Sequence, residues 1–124
     1  QPFYFGDLMS TACEMAQIKP PKEIDSISML PTLSGETGKQ KRHKYLYWEF
    51  YERTFRQAVI QENWKLIRSD MDNAKIQLYD LSTDIHEDRN LASQQTKVLN
   101  EMLAFMEEAH RPHPKWITPR SQKK

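Results

Sequence analysis

The side chains able to do chemistry in this sequence are few, and they are scattered. The four histidines are His43, His86, His110 and His113, and only the last two are close together. These two flank the end of a predicted helix just before a proline, and no cysteine lies near them. The ligand spacings of a metal site are missing, so no metal is expected. The sequence also lacks a phosphate-binding loop, a G-x-S-x-G motif and a dinucleotide fingerprint.

The single cysteine, Cys13, does not supply an obvious nucleophile. It falls in a predicted helix on the side where the apolar residues collect, so we expect it to be buried and inert. One cysteine allows no internal disulfide. None of these patterns indicates a catalytic set.

A basic run, KQKRHK at residues 39–44, lies between a glycine-containing turn and the first predicted strand. It could bind an anion or a nucleic acid, or it could be a solvated loop. Eighteen Lys and Arg against seventeen Asp and Glu give the 124 residues a net charge of +1, which argues against nucleic-acid binding. No apolar run approaches the length that spans a membrane.

The elements that must position these residues begin with a short amphipathic helix over 7–17. Asp7 is its expected N-cap, and apolar residues at 8, 9, 12, 13 and 16 follow helical spacing. The helix must end before Pro20 and Pro21. The irregular segment over 19–44, with three prolines and two glycines, is expected to form an ordered loop.

Four short strands with polar turns between them predict an antiparallel meander. We expect these strands over 45–52, 56–61, 64–68 and 76–81, with a tight turn at Glu62-Asn63 and a polar turn over 70–73. A second amphipathic helix over 94–109 should cover one face of that sheet. Its apolar stripe is Val98, Leu99, Met102, Leu103, Met106 and Ala109. The predicted fold class is therefore α+β, with an additional N-terminal helix and loop.

The first strand has two different faces. Leu46, Trp48 and Phe50 share one face, while Tyr45, Tyr47, Glu49 and Tyr51 share the other. We predict that Trp48 and Trp64 pack in the core beneath the second helix, which leaves the tyrosine face uncovered. That face would then be a surface for another domain, or the platform of a free-standing carbohydrate-binding module.

Five segments in a fixed order resemble the C-terminal end of the sulfatase family. They are YFGDLMSTACEMA, DSISMLPTLSG, HKYLYWEF, RQAVIQENWKLI and QLYDLSTDIHEDRNLA. The resemblance runs from about Tyr4 to Trp116 and is closest to bacterial arylsulfatases and N-acetylgalactosamine-6-sulfatase-like relatives, in the alkaline-phosphatase-type superfamily. It implies that residues 1–44 close the parent's catalytic domain, that 45–116 form the C-terminal subdomain of four antiparallel strands and a helix, and that 117–124 are a flexible tail.

The resemblance also implies where the missing chemistry lies. Sulfatases hydrolyse sulfate esters with a formylglycine made from Cys or Ser in a C/S-x-P/A-x-R motif, and they bind calcium, both mainly through the N-terminal part. Cys13 does not fit, because Met15 and Gln17 stand where the motif needs Pro or Ala and Arg. No cofactor is expected in this chain. His86 stands where many relatives carry glycine, so it would need a glycine-like turn conformation.

By this resemblance the chain is a C-terminal fragment of a secreted or periplasmic sulfatase acting on a sulfated carbohydrate or an aryl sulfate. Its own role would be structural, with the parent's N-terminal catalytic domain as partner. It begins with Gln1 and shows no signal peptide, as expected of a processed product or a fragment. Isolated from its partner, it could self-associate through the exposed interface.

The residues expected to reach the parent's substrate are Glu49, Arg53 and Arg56, around the turn between the first two strands, with His43 just before the sheet. Arginine binds sulfate or carboxylate through two parallel hydrogen bonds, and a turn at the end of a sheet can project side chains across a cleft. The alternative is that these charged residues only form surface ion pairs, which contribute little.

Overall fold

The computed structural model describes residues 2–51, 55–69 and 75–113, and the chain divides after Lys44 into two compact units. The N-terminal unit contains helix α1 (Asp7–Met15), helix α2 (Leu30–Leu33) and a 3₁₀ turn (Thr37–Lys39). The C-terminal unit contains strands β1 (Leu46–Phe50), β2 (Arg56–Gln61), β3 (Trp64–Ser69) and β4 (Lys75–Asp80), then helix α3 (Thr96–Ala109). The predicted α+β class is confirmed. No helix within the described ranges is long and apolar enough to cross a membrane.

Helix α1 is held in its unit by polar side chains. Its buried residues are Asp7, Ser10, Thr11 and Cys13. The Ser10 hydroxyl donates to the carbonyl of Ser26, and the Ser10 N–H donates to the Ser26 hydroxyl, each at 3.1 Å. Thr11 Oγ1 accepts the N–H of Met29 at 2.9 Å. The expected burial of Cys13 is confirmed, but the rest of the predicted apolar stripe points outward.

The N-terminal end of α1 differs from the prediction, and its C-terminal end forms a recognised capping motif. Gly6 precedes the helix and Asp7 is its first residue, so the prediction of Asp7 as N-cap is wrong. At the other end Ile18 N–H bonds Cys13 O at 2.9 Å and Gln17 N–H bonds Glu14 O at 3.1 Å. Gln17 lies in the left-handed region at φ 57°. This is a Schellman motif, which satisfies the last carbonyls of the helix.

The sheet is a meander of order β1-β2-β3-β4, with every neighbouring pair antiparallel. Each strand lies within two residues of its predicted bounds. The two-residue turn Glu62-Asn63 joins β2 to β3, and Glu62 takes the left-handed conformation at φ 53°. The predicted polar turn over 70–73 lies outside the described residues.

One row of paired residues identifies the face of the sheet that α3 covers. The row runs through Tyr47, Val59, Leu66 and Leu78, each paired with the next. Its three aliphatic members have no exposed surface and cluster with Met102 and Met106 of α3. The predicted helix over 94–109 is confirmed, and Phe105 adds to its packing surface. The face of β1 beneath α3 is therefore the tyrosine face.

The prediction that Trp48 lies beneath the helix is wrong. Trp48 is on the other face of the sheet and is 39% exposed, and Phe50 beside it is 55% exposed. Trp64 does pack partly buried against the core, as predicted. Strand β1 has aromatic residues on both faces, so its own alternation does not identify the covered one. The covered face is identified by Val59, Leu66 and Leu78, which are fully buried against α3, while the aliphatic residues on the other face of β2 and β3 are only partly buried.

A loop after β4 completes the C-terminal unit. Asn90 lies along the outer edge of β4, where its Oδ1 accepts Leu78 N–H at 3.0 Å and its Nδ2 donates to Ile76 O at 3.1 Å. Asp84 accepts the N–H groups of Asp88 and Arg89, which hold its pKa below the usual value. Glu87, at φ 60°, takes the left-handed conformation that we expected of His86.

Candidate functional site

The N-terminal unit contains a buried carboxylate and imidazole in contact. His43 Nε2 lies 2.9 Å from Oδ1 and 3.0 Å from Oδ2 of Asp7. The same carboxylate accepts the N–H of Ile27 at 2.9 Å and that of Tyr4 at 3.3 Å. Asp7 therefore ties the start of α1 to the loop after it and to the segment before the sheet. The His43 side chain is 11% exposed.

Tyr4 closes one side of this pair. Its ring meets the ring of His43 edge to face, with centroids 5.4 Å apart and planes at 77°. A Cβ on Gly6 would lie 2.5 Å from the tyrosine ring, so glycine is what lets Tyr4 fold back over the chain. Burial, and then the charges of Asp7 and Asp25, raise the pKa of Tyr4 above its ordinary value. The tyrosine therefore stays neutral beside the carboxylate.

The basic run over 39–44 is partly a solvated loop, as one alternative predicted, and partly anchored. Lys41, Arg42 and Lys44 are exposed. Gln40 is turned inward, where its Nε2 donates to the carbonyl of Ser28 at 2.8 Å and its Oε1 accepts the N–H of Thr32 at 3.1 Å. Anchored residues thus alternate with exposed cations on either side of His43.

In the C-terminal unit, Glu49 belongs to a polar network on the face that α3 covers. Its Oε2 accepts from the hydroxyl of Tyr47, from Gln57 Nε2 at 3.3 Å, and lies 2.8 Å from His110 Nδ1. Burial, followed by the hydrogen bond to Glu49, raises the pKa of Tyr47 far above its ordinary value. Through His110 the network joins β1 to the residue that ends α3.

Arg68 extends this network to β3. Its Nε and Nη2 donate to Oε1 of Gln57 at 2.8 and 2.5 Å, and its Nη1 donates to Glu107 of α3 at 2.8 Å. Arg68 is 5% exposed and Gln57 is 1% exposed. The sequence offered a signal for both residues that we did not use. They stand at inward positions of their strands, next but one to Val59 and Leu66, where apolar residues are the rule.

The predicted substrate-contacting residues are divided between the two units of the chain. His43 belongs to the N-terminal unit and Glu49 to the C-terminal one. Glu49 pairs with Gln57 on the covered face, whereas Arg56 pairs with Phe50, is exposed, and points to the opposite face. Arg53 lies outside the described residues. The partner of His43, Asp7, was missed because 36 positions separate the two, and no local pattern links them.

Both units expose apolar side chains that could contact another domain. In the N-terminal unit these are Phe5, Leu8, Met9, Met15, Ile18, Ile24 and Leu33, with Met15 66% and Met9 55% exposed. In the C-terminal unit Trp48 and Phe50 lie on the face of the sheet opposite α3. Clusters of large exposed apolar residues are typical of interaction surfaces, whereas single ones are common everywhere.

Neither a metal nor a formylglycine fits the side chains that the structure describes. No group of three or more His, Cys, Asp or Glu in residues 2–51, 55–69 and 75–113 is arranged to hold a metal ion. Cys13 is buried inside α1 and lacks the motif residues at positions 15 and 17.

Comparison with known proteins finds relatives of this chain over most of its length. The model of the N-sulphoglucosamine sulphohydrolase C-terminal family matches residues 6–111. A Delta 4,5-hexuronate-2-O-sulfatase of Bacteroides thetaiotaomicron is 34% identical over 109 residues, which are 82% of this chain and 22% of that protein.

Two solved sulfatase structures have a similar fold over most of this chain. A 2-O GAG sulfatase is 34% identical with a TM-score of 0.71, and a candidate sulfatase from Bacteroides thetaiotaomicron is 35% identical with a TM-score of 0.73. Each match covers 82% of this chain and 23% of the other. The chain thus spans about a quarter of the length of these relatives. With its meander, its C-terminal helix and a family match over most of its length, the chain belongs to the C-terminal domain family of the sulfatases.

Proposed function

We propose that this chain is the C-terminal part of an enzyme that hydrolyses sulfate esters of sulfated saccharides. The family match over residues 6–111 is the observation that supports this most strongly. The identity of 34% to a hexuronate-2-O-sulfatase favours a sulfated, uronate-containing saccharide over a simple aryl sulfate. Because the chain spans 22% of that relative, the hydrolysis itself is assigned to the remainder of the enzyme.

The partner of this chain, in this proposal, is the catalytic domain of the same enzyme. The exposed apolar residues of α1 and the open face of the sheet support such a contact. Their large side chains would leave water on association, at about 25 cal/mol for each Å² of apolar surface buried. We further propose that the formylglycine and the calcium ion belong to that catalytic domain, and that the enzyme is secreted or periplasmic, as the resemblance to sulfatases implies.

The chain would also lend side chains to the substrate cleft. His43 is the best supported of the predicted contacts, because a buried carboxylate fixes its ring and exposed cations flank it in sequence. Arg53 and Arg56 stay predictions. Glu49 does too, although its contacts with Tyr47, Gln57 and His110 already give it a structural role.

The test is an assay of the complete enzyme and of residues 1–124 alone. We expect the complete enzyme to release sulfate from a 2-O-sulfated Δ4,5-hexuronate disaccharide. The isolated chain should release none from that disaccharide or from 4-nitrocatechol sulfate. Sulfate release by the purified chain that persists after chelation and repurification would overturn the assignment of the chemistry to the rest of the enzyme.

A further inference from the structure

Asp7 is a buried carboxylate that accepts two backbone N–H groups and faces a ring nitrogen of His43. It is fully buried, and its oxygens face the backbone N–H of Tyr4, that of Ile27 and the ring Nε2 of His43. Tyr4 and Ile27 donate backbone N–H groups to it, and His43 Nε2 donates as well when it carries the ring proton. No Lys or Arg of the described segments pairs with Asp7. His43 is therefore the described side chain with a ring nitrogen facing this buried carboxyl group.

The contact with Asp7 fixes which nitrogen of His43 is available to a ligand. Nε2 is directed at the carboxylate, so Nδ1 is on the far side of the ring. Within the described ranges no residue hydrogen-bonds Nδ1, yet every buried polar side-chain atom there has a partner. Nδ1 therefore reaches the surface through the 11% of the side chain that is exposed. The ring edge of Tyr4 limits rotation of the imidazole.

The surroundings of this nitrogen favour an anion. An imidazole ring with a proton on both nitrogens would keep Nε2–H on Asp7 and offer Nδ1–H to an anion, and charge-assisted hydrogen bonds of this kind are the strong ones. Arg42 precedes His43 and Lys44 follows it, and both are exposed. The exposed guanidinium of Arg42 would attract an anion to the loop, and the fixed imidazole would orient it.

Resting on the proposed function, we propose that Asp7 and His43 form a pair that binds an anionic group of the sulfated saccharide through Nδ1 of His43. The anion is a carboxylate or a second sulfate, not the sulfate ester that is hydrolysed. His43 is the substrate-binding residue, and Asp7 is a positioning residue that acts through it.

The experiment compares variants of the complete enzyme on two substrates, a 2-O-sulfated Δ4,5-hexuronate disaccharide and 4-nitrocatechol sulfate. His43→Gln can still donate to Asp7 but cannot carry a charge. We expect it to raise KM for the disaccharide about 10- to 100-fold, the range for a lost charge-assisted hydrogen bond, with little change in kcat. Turnover of the small aryl sulfate should be unchanged. Asp7→Asn should shift KM in the same direction, by less. His86→Gln, on an exposed loop, is the matched control.

Two altered disaccharides identify the anion. If the carboxylate binds Nδ1, the difference between wild type and His43→Gln disappears on the carboxyl-methylated disaccharide. If a second sulfate binds, the difference disappears on the disaccharide that lacks it. Either result supports the proposal. Equal losses on the disaccharide and the aryl sulfate, or no loss on either, would overturn it and leave the pair a structural tie. A wild-type enzyme that hydrolyses neither ester would instead overturn the proposed function itself.

Discussion

Arg68 donates two hydrogen bonds to a single oxygen of Gln57, and both side chains lie inside the C-terminal unit. The third donor of the guanidinium reaches Glu107, which is 52% exposed. The positive charge of Arg68 is thus compensated by the half-exposed carboxylate of Glu107, while Nε and Nη2 of the guanidinium are held by the neutral amide of Gln57. This arrangement connects β2, β3 and α3 through one side chain.

Removing that side chain should be costly. Arg68→Ala leaves Gln57 Oε1 without its donors and opens a cavity, so we expect the free energy of unfolding to fall by about 2–4 kcal/mol. Arg56→Ala, in the neighbouring strand but exposed, should change it by less than about 0.5 kcal/mol. Urea unfolding of the two variants beside wild type measures both. Similar urea midpoints for the two variants would show that the hydrogen bonds of the Arg68 guanidinium contribute nothing to stability.

Trp48 and Leu66 should differ in accessibility and in their contribution to stability. Trp48→Ala should lower the free energy of unfolding by about 1–2 kcal/mol in the isolated chain, because Trp48 is 39% exposed and only part of its side chain has contacts to lose on unfolding. Leu66→Ala, at a position with no exposed surface, should lower it by about 2–5 kcal/mol. In a Trp48→Phe variant, acrylamide should quench less of the remaining fluorescence. Equal quenching before and after the substitution would place Trp48 in the core.

Removing the exposed apolar surface should reduce self-association of the isolated chain but destabilise the complete enzyme. Met9→Asp combined with Phe50→Asp removes apolar surface from both units. If the isolated chain self-associates, this double variant should be more monomeric, as measured by sedimentation velocity. In the complete enzyme the same changes should lower the melting temperature, because two charges would be buried against the partner domain. Glu62→Asp, an exposed conservative change, is the control. An unchanged melting temperature would exclude both faces from the interface.

Tyr47 should make the C-terminal unit sensitive to alkali. Its pKa is raised in the folded state, chiefly by burial, so ionisation is favoured by unfolding. The contribution of the neutral phenol is complete below the unfolded pKa of about 10 and is lost as pH rises above it. Stability measured by urea unfolding should therefore decline above pH 10, and Tyr47→Phe should decline less steeply. Parallel declines would assign the effect to other groups.

The sequence was sufficient to predict the helices and strands, but not to predict which face of β1 and of α1 is buried. Strands β2 and β3 were predicted closely because their short runs of aliphatic residues and the Glu62-Asn63 turn are local signals. The face of β1 was not, since aromatic residues occupy both of its sides. The buried side of helix α1 was predicted wrongly for a related reason. Its apolar residues point outward, while Asp7, Ser10 and Thr11 bond the loop, and periodicity alone does not show which side of a helix meets its neighbours.

The candidate site was accessible to sequence reasoning only in part. His43 was singled out from its position before the sheet, but its fixed orientation depends on Asp7, from the start of the chain. Such a pair forms only when the loop over 19–44 folds back, and the hydrogen bonds that hold this loop come from Ser10, Thr11 and Gln40. Polar residues of that kind are equally common on free surfaces, so composition did not reveal them.

The position of Asn90 limits how the sheet can grow. A bare edge strand offers its N–H and C=O groups to the strand of another molecule, which is a common route to aggregation. Here the carboxamide of Asn90 occupies Leu78 N–H and Ile76 O, and the N–H of Leu91 occupies Leu78 O. A foreign strand would have to displace all three bonds before it could add to β4. This side chain therefore protects a domain rich in exposed apolar groups from joining sheet to sheet while it is being made.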